Sequence, residues 1–90
     1  MSRNESRTRR DGETATIEIR TYKGLKRAVG RGRLEWDVDP GATVGDVLSE
    51  FAREHGIDDS DVLVMKNGTH VRFLDGERTS VEGGDRLSFS

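Results

Sequence analysis

One stretch of the sequence, residues 43–55, constrains the fold more than any other. Its apolar side chains recur at positions i, i+3, i+4, i+7 and i+8, which is the spacing of one continuous face of an α-helix. These residues are Val44, Val47, Leu48, Phe51 and Ala52. Thr43 is placed to cap the helix N-terminus, with Asp46 near its positive end, and Gly56 is placed to end it in a left-handed conformation. The sequence therefore predicts an amphipathic helix that requires an apolar surface to cover it.

Segments of alternating apolar and polar residues lie on both sides of this helix and predict strands of a half-buried sheet. They are residues 15–20, 34–38, 62–66, 70–74 and 86–90. Asn67-Gly68 is a strong two-residue hairpin signal, and a helical turn is predicted around residues 25–29. The order strand, strand, helix, strand, strand, strand predicts an α+β fold of the β-grasp type. In this fold a mixed sheet packs on one main helix, and the last strand lies beside the first.

Length and composition limit the chain to one small domain. Ninety residues without Cys must rely on a single apolar core, because no disulfide can form. Residues 1–14 carry no apolar side chain after Met1, so we predict a disordered tail there and a domain over residues 15–90. The sequence has neither a run of 18 apolar residues nor an apolar N-terminal stretch. We therefore expect a cytoplasmic protein that does not use a membrane.

Several motifs, in this order, resemble those of ubiquitin-like sulfur-carrier proteins. Residues 38–48 resemble the family's strand-to-helix entry, residues 64–68 its apolar strand ending in Asn-Gly, and residues 83–89 its late Gly-Asp turn and final strand. The group includes the small subunit of molybdopterin synthase, the thiamine sulfur carrier and the small archaeal modifier proteins. The resemblance covers roughly residues 15–90. It implies a ubiquitin-like β-grasp fold and function through other proteins, such as an activating enzyme or a sulfur-transfer partner.

The end of the sequence departs from the pattern of this family. Members that carry sulfur or modify lysines end in a flexible Gly-Gly tail, whose carboxylate is adenylated and then becomes a thiocarboxylate or an isopeptide. The present sequence ends at Ser90 with no C-terminal Gly-Gly, so conjugation and sulfur transfer are doubtful. Two explanations stay open: a member that has lost conjugation, or a native tail that would follow Ser90. The internal pair Gly83-Gly84 is predicted to be a turn, because cleavage there would remove the core side chains Leu87 and Phe89.

The sheet face away from the helix is the predicted partner-binding surface. If Val62 and Val64 face the helix, then Leu63 and Met65 point outward. Two neighbouring apolar side chains ringed by polar ones are typical of a docking patch. The predicted partner-binding residues are Leu63, Met65, Glu18, Arg20, Arg86 and Ser88.

A basic segment between residues 20 and 33 leaves an alternative function open. It contains no acidic residue, and its cations are Arg20, Lys23, Lys26, Arg27, Arg31 and Arg33. A block of like charge is often an interaction surface, so a small RNA-binding module is the alternative. The competing interpretation is a solvated loop whose charge is neutralised by Glu35, Asp37 and Asp39. The formal net charge of −2 argues against nucleic acid as the main partner.

Residues that would carry catalysis or bind a metal do not group in the sequence. His55 and His70 are the only histidines, and their spacing does not suit a metal site. Nothing places a Ser or Thr nucleophile with a base, and no Gly-rich loop follows a strand and opens a helix. We therefore predict no enzyme activity, no metal site and no cofactor, and we expect a monomer.

Overall fold

A computed structural model describes residues 14–90, which form a five-stranded sheet with two α-helices. The strands are β1 (Ala15–Thr21), β2 (Arg33–Val38), β3 (Val64–Lys66), β4 (Thr69–His70) and β5 (Arg86–Phe89). The helices are α1 (Lys23–Val29) and α2 (Val44–His55). Short 3-10 helices lie at Asp59–Asp61, Val71–Phe73 and Gly76–Arg78.

The strands are arranged in the order β2-β1-β5-β3-β4. The central pair, β1 and β5, is parallel, whereas β1 pairs with β2, β5 with β3, and β3 with β4 in antiparallel fashion. Gly83 and Gly84 form the turn that leads into β5, with Gly84 at φ +86° and its N–H donating to the Thr16 carbonyl at 3.0 Å. This mixed sheet with its last strand beside the first is the predicted α+β β-grasp fold.

The apolar stripe of α2 is buried against the sheet, as the sequence predicts. Phe51 is completely buried, and its ring lies edge-on to Phe89 of β5 at 5.0 Å and to Trp36 of β2 at 5.5 Å between ring centroids. Ile17, Ile19 and Leu87 are also buried in this core. Burial of this kind is the main favourable term in folding, so the contact between α2 and the sheet holds the domain together.

Both ends of α2 have the predicted caps. The Asp46 N–H donates to the Thr43 hydroxyl at 3.2 Å, and the Thr43 N–H donates to the Asp46 carboxylate at 3.1 Å. This reciprocal pair is a capping box, which satisfies two backbone donors that the helix itself leaves without partners. Gly56 ends the helix at φ +67°, a conformation that glycine adopts without strain.

The strands after α2 are shorter than predicted. A strand was predicted over residues 62–66, but β3 begins only at Val64. The preceding 3-10 helix uses the backbone of Val62, whose N–H donates to the Asp59 carbonyl. The segment predicted as strand 70–74 pairs only through His70. The His70 imidazole Nδ1 accepts the Arg72 N–H at 3.1 Å, and the chain turns there into a 3-10 helix instead of continuing along β3.

The connection between β1 and β2 is more helical than predicted. Instead of one turn around residues 25–29, the seven-residue helix α1 begins at Lys23 and ends where Gly30 adopts φ +87°. Leu25 and Val29 lie four residues apart and both pack against the core, so one face of α1 is anchored on the sheet.

The predicted tail over residues 1–14 lies outside the described residues except for Thr14, so its disorder stays a prediction. Within residues 14–90, neither α-helix is long and apolar enough to cross a membrane.

Candidate functional site on the outer sheet face

We call the side of the sheet opposite α2 the outer face. Ile17 and Ile19 are buried beneath α2, so the intervening Glu18 and the following Arg20 project from the outer face. The strand register places Ser88 of β5 between Arg20 and Met65, and it places Arg86 beside Glu18. Strand pairing therefore brings together residues that are far apart in sequence.

A shallow cavity of about 350 Å³ lies at the centre of the outer face. Its lining residues are Arg20, Tyr22, Met65, Gly68, Arg86, Ser88 and Ser90. Leu63 adjoins this cavity, because its N–H donates to the Ser90 carbonyl at 2.8 Å and its carbonyl accepts the Ser90 N–H at 3.0 Å. Ser90 therefore lies beside Leu63, the most exposed apolar side chain of this face.

Three large side chains with apolar surface are exposed here. Leu63 is 58% exposed, Tyr22 43% and Met65 38%. A partner that covered them would remove this apolar surface from water, which favours association, and a tyrosine also offers a hydroxyl for hydrogen bonding. The outer face therefore has the apolar centre and polar surroundings of a protein-binding surface.

The charges around this apolar centre are mainly positive. Glu18 hydrogen-bonds to the Arg20 guanidinium, and this bond, with the nearby charges of Arg33 and Arg86, lowers the pKa of Glu18 below its ordinary value. The carboxylate is therefore ionised at neutral pH and offsets one of the two arginines, Arg20 and Arg86, that line the cavity. The remaining positive charge favours an acidic partner surface.

A hydrogen-bonded cluster fixes one edge of the outer face. The Asn67 side chain donates to the Asp85 carboxylate at 3.1 Å and accepts the Arg86 N–H at 2.9 Å, which joins the β3–β4 hairpin to the start of β5. Burial opposes ionisation of Asp85, but hydrogen bonds from the Glu82 N–H and Asn67, together with the Lys66 ammonium, outweigh it and lower the pKa of Asp85. The cluster holds Met65 and Arg86 in fixed relative positions.

The comparisons with known proteins agree with this fold. Residues 19–89 match the model of the ThiS family. The chain belongs to the ThiS family. This is the group of ubiquitin-like sulfur carriers and small archaeal modifiers that the sequence motifs resemble, so that identification is confirmed. Proteins of this group act by interacting with other proteins.

Individual relatives of this ThiS-family protein are similar to it over most of their length. Small archaeal modifier protein 3 of Haloferax volcanii is 37% identical over 82 residues, which cover 80% of this chain and 89% of that protein. The solution structure of the Haloferax volcanii HVO 2177 protein has a TM-score of 0.78 at 32% identity and covers 99% of this chain and 93% of its own. A ubiquitin of Caldiarchaeum subterraneum, 21% identical, has a TM-score of 0.64 over 84% of this chain and 90% of its own, and it shows the fold alone.

The ThiS-family chain brings all six predicted partner-binding residues onto one face. Four of them line the cavity, Glu18 pairs with Arg20, and Leu63 lies at the margin beside Ser90. The sequence prediction missed Tyr22, because the predicted strand extended only to Arg20. The sequence did contain a signal for Tyr22, because Glu18, Arg20 and Tyr22 are spaced two residues apart, as side chains on one face of a strand are.

The basic segment is divided between the outer face and α1. Arg20 and Arg33 both approach Glu18 on the outer face, with the Arg33 Nε 3.6 Å from its carboxylate. Lys23, Lys26 and Arg27 lie on α1 and are exposed, as is Arg31. The comparisons give the RNA-binding alternative no support.

The two histidines have structural contacts in the ThiS-family domain. The His55 ring packs against Phe51 with centroids 4.5 Å apart, and His70 caps the turn after β4. Among residues 14–90, no cluster of three His, Cys, Asp or Glu side chains is arranged to hold a metal ion.

Proposed function

We propose that this ubiquitin-like modifier or sulfur-carrier protein docks on a partner protein, such as an activating enzyme or a sulfur-transfer partner, through its outer sheet face. One observation carries the proposal: Leu63, Met65 and Tyr22 all expose apolar surface on a face that is otherwise polar. Membership of a family that acts through other proteins supports the same role.

The charges of the outer face support an acidic contact surface on the partner. Among residues 14–90, Arg20 and Arg86 line the outer-face cavity and no acidic side chain does, so the partner is expected to present carboxylates around an apolar centre. Complementary charges at the rim mainly raise the association rate, and this contribution is screened by salt. We therefore expect the association rate to fall as ionic strength rises, while the dissociation rate changes less.

The test is a binding measurement with the activating enzyme purified from the same organism. Leu63→Ala combined with Met65→Ala is expected to raise the Kd at least tenfold, which corresponds to about 1.4 kcal/mol. Phe73→Ala is the matched control, because Phe73 is an exposed apolar residue in the turn after β4 and does not line the outer-face cavity. Unchanged melting temperatures would show that the variants are folded.

Two results would contradict the docking proposal. Equal weakening by Phe73→Ala would show that any exposed apolar side chain matters, and no weakening by the double variant would place the contact elsewhere. Tyr22→Ala provides a second measure on another strand, and we expect a loss of affinity of similar direction.

We further propose that the protein is not itself an enzyme and works as a monomer in the cytoplasm. Its membership of a family of small carriers and modifiers supports the first statement. Light scattering coupled to size-exclusion chromatography over a hundredfold range of concentration tests the second. A mass near 10.0 kDa throughout is expected, and a doubling of mass at high concentration would contradict it.

A further inference from the structure

Strand β2 forms one edge of the sheet, and half of its backbone groups point outward. The Thr21 N–H donates to the Gly32 carbonyl at 3.1 Å. In the antiparallel ladder, the backbone N–H and C=O groups of every second residue after Gly32, namely Leu34, Trp36 and Val38, therefore point toward β1. The backbone N–H and C=O groups of the intervening Arg33, Glu35 and Asp37 therefore point away from the sheet. Within residues 14–90, no further strand pairs with them.

A groove of about 530 Å³ runs along this edge, between β2 and α2. We call it the β2–α2 groove, and its lining residues are Glu35, Trp36, Asp37, Glu50, Arg53 and Glu54. Trp36 forms the apolar part of its wall. One side of the indole packs on Phe51, and the indole N–H donates to the Glu50 carboxylate at 3.2 Å.

The charge of the groove is opposite to that of the outer-face cavity. Four carboxylates line it against the single guanidinium of Arg53. The acidic character continues toward the start of α2, where a second cavity is lined by Asp37, Asp39 and Asp46. At the other end of β2, Arg31 and Arg33 reverse the sign. A ligand with positive charge is therefore favoured near Glu35 and Asp37, toward the α2 N-terminus.

We propose that the β2–α2 groove binds an extended, cationic segment of a partner protein, which adds to β2 as a sixth strand. Main-chain hydrogen bonds to Arg33, Glu35 and Asp37 supply the affinity, as in other cases of strand addition. Alternate side chains of the segment then face Trp36 and α2, where apolar residues fit. The others lie beside Glu35 and Asp37 on the opposite face, where Lys or Arg fits.

This site is separate from the outer-face docking surface. The added strand would lie beyond β2, whereas Leu63 and Met65 lie on and beside β3, with β5 and β1 between β3 and β2. Two partners, one acidic and one basic, can therefore be bound at once without competing for the same side chains.

The first test uses the intrinsic fluorescence of Trp36, the only tryptophan of the chain. The probe is a synthetic hexapeptide of alternating Lys and Val, capped at both ends, titrated into the full chain at low salt. The control peptide replaces each Lys by Glu. We expect saturable quenching or a spectral shift with the Lys peptide, and at least tenfold weaker binding of the Glu peptide. Equal binding of the two peptides would contradict the charge argument.

The second test asks whether the main chain of β2 makes the contact. Glu35→Pro removes one outward N–H without removing a bond to β1, and proline is tolerated at such edge positions. Glu35→Ala is the matched control, because it loses the same carboxylate but keeps the N–H. We expect Glu35→Pro to bind the Lys peptide at least fivefold more weakly than Glu35→Ala. If Glu35→Pro does not fold, two N-methylated versions of the Lys peptide replace it. One is methylated at the residues whose N–H groups would point toward β2, and it should not bind. The other is methylated at the intervening residues, and it should still bind.

Further variants separate this site from the outer face and from the chain's own N-terminal segment. Glu35→Gln with Asp37→Asn, which removes the carboxylates beside the Lys side chains, should weaken Lys-peptide binding severalfold, whereas Leu63→Ala with Met65→Ala should leave it unchanged. The reverse pattern would place the peptide on the outer face and overturn the proposal. Binding that appears only after residues 1–13 are removed would assign the groove to that segment instead of a partner. No fluorescence change with either peptide, for the full and the shortened chain alike, would refute strand addition.

Discussion

Replacing Phe51 by Ala is the sharpest test of the contact between helix and sheet. Phe51 is completely buried, and three rings surround it: Phe89, Trp36 and His55, at 5.0, 5.5 and 4.5 Å between centroids. Phe→Ala substitutions in cores cost about 3–5 kcal/mol, since the ring's burial is lost and a cavity remains. Rings from both the helix and the sheet line this cavity and limit its collapse, so we expect a value in the upper half of that range.

The expected loss is large compared with the stability of the whole domain. A domain of about 75 residues typically has an unfolding free energy of roughly 4–11 kcal/mol, so Phe51→Ala should leave it marginal or unfolded at 37 °C. The assay is urea unfolding followed by circular dichroism and by Trp36 fluorescence. Phe73→Ala is the control of the same residue type, because Phe73 is 69% exposed and should lose less than about 1 kcal/mol. A loss below about 1 kcal/mol for Phe51→Ala would refute the packing of α2 on the sheet.

Three further results are expected from stability measurements. Asp85→Asn should cost about 1–3 kcal/mol at neutral pH, because it removes a charged acceptor. Since folding lowers the pKa of Asp85, its stabilisation is present above the unfolded value of 3.8 and is lost as the pH falls through the folded pKa. The difference in stability between wild type and variant should therefore begin to shrink below about pH 4 and disappear below the folded pKa. Thr43→Ala should lose about 0.5–2 kcal/mol with the capping box, measured by thermal unfolding, and an unchanged melting temperature would contradict the role of the cap. Gly24→Ala in α1, where no atom lies within 4 Å of the added methyl group, should stabilise by about 0.5–1 kcal/mol, whereas Gly84→Ala at φ +86° should destabilise by about 1–2 kcal/mol.

The main helix and the central strands could be predicted because their signals are local and agree with one another. The stripe of α2, its Thr43 cap and its terminal Gly56 all indicate the same bounds. The error at residues 70–74 arose because Val71 and Phe73 alternate with polar residues as a strand would. The structure buries Val71 but exposes Phe73, since the His70 side chain accepts the Arg72 N–H and turns the backbone. The alternation of apolar and polar residues does not reveal a side-chain cap of this kind, so the turn at His70 could not be predicted from it.

The candidate surfaces were predictable to different degrees. Leu63 and Met65 could be assigned to the outer face because strand alternation alone determines which side they occupy. Tyr22 was missed because it lies just after β1, which ends at Thr21, although its extended backbone continues the alternation of that strand. The β2–α2 groove was not predicted. The predicted β-grasp order already makes β2 an edge strand, but the groove also depends on Glu50 and Glu54 of α2 lining it together with β2. That placement follows from how α2 packs across the sheet, which the sequence does not display directly.

The parallel pairing of β1 with β5 has a consequence for how the protein is made. β5 is formed by residues 86–89, yet it lies between β1 and β3 and contributes Leu87 and Phe89 to the core. A growing chain that lacks these residues holds two separate strand pairs, β1–β2 and β3–β4, with no strand to join them. Such a chain on the ribosome leaves the apolar stripe of α2 only partly covered. The domain is therefore expected to fold in one late step, after residue 89 has left the ribosome, rather than progressively from its N-terminus.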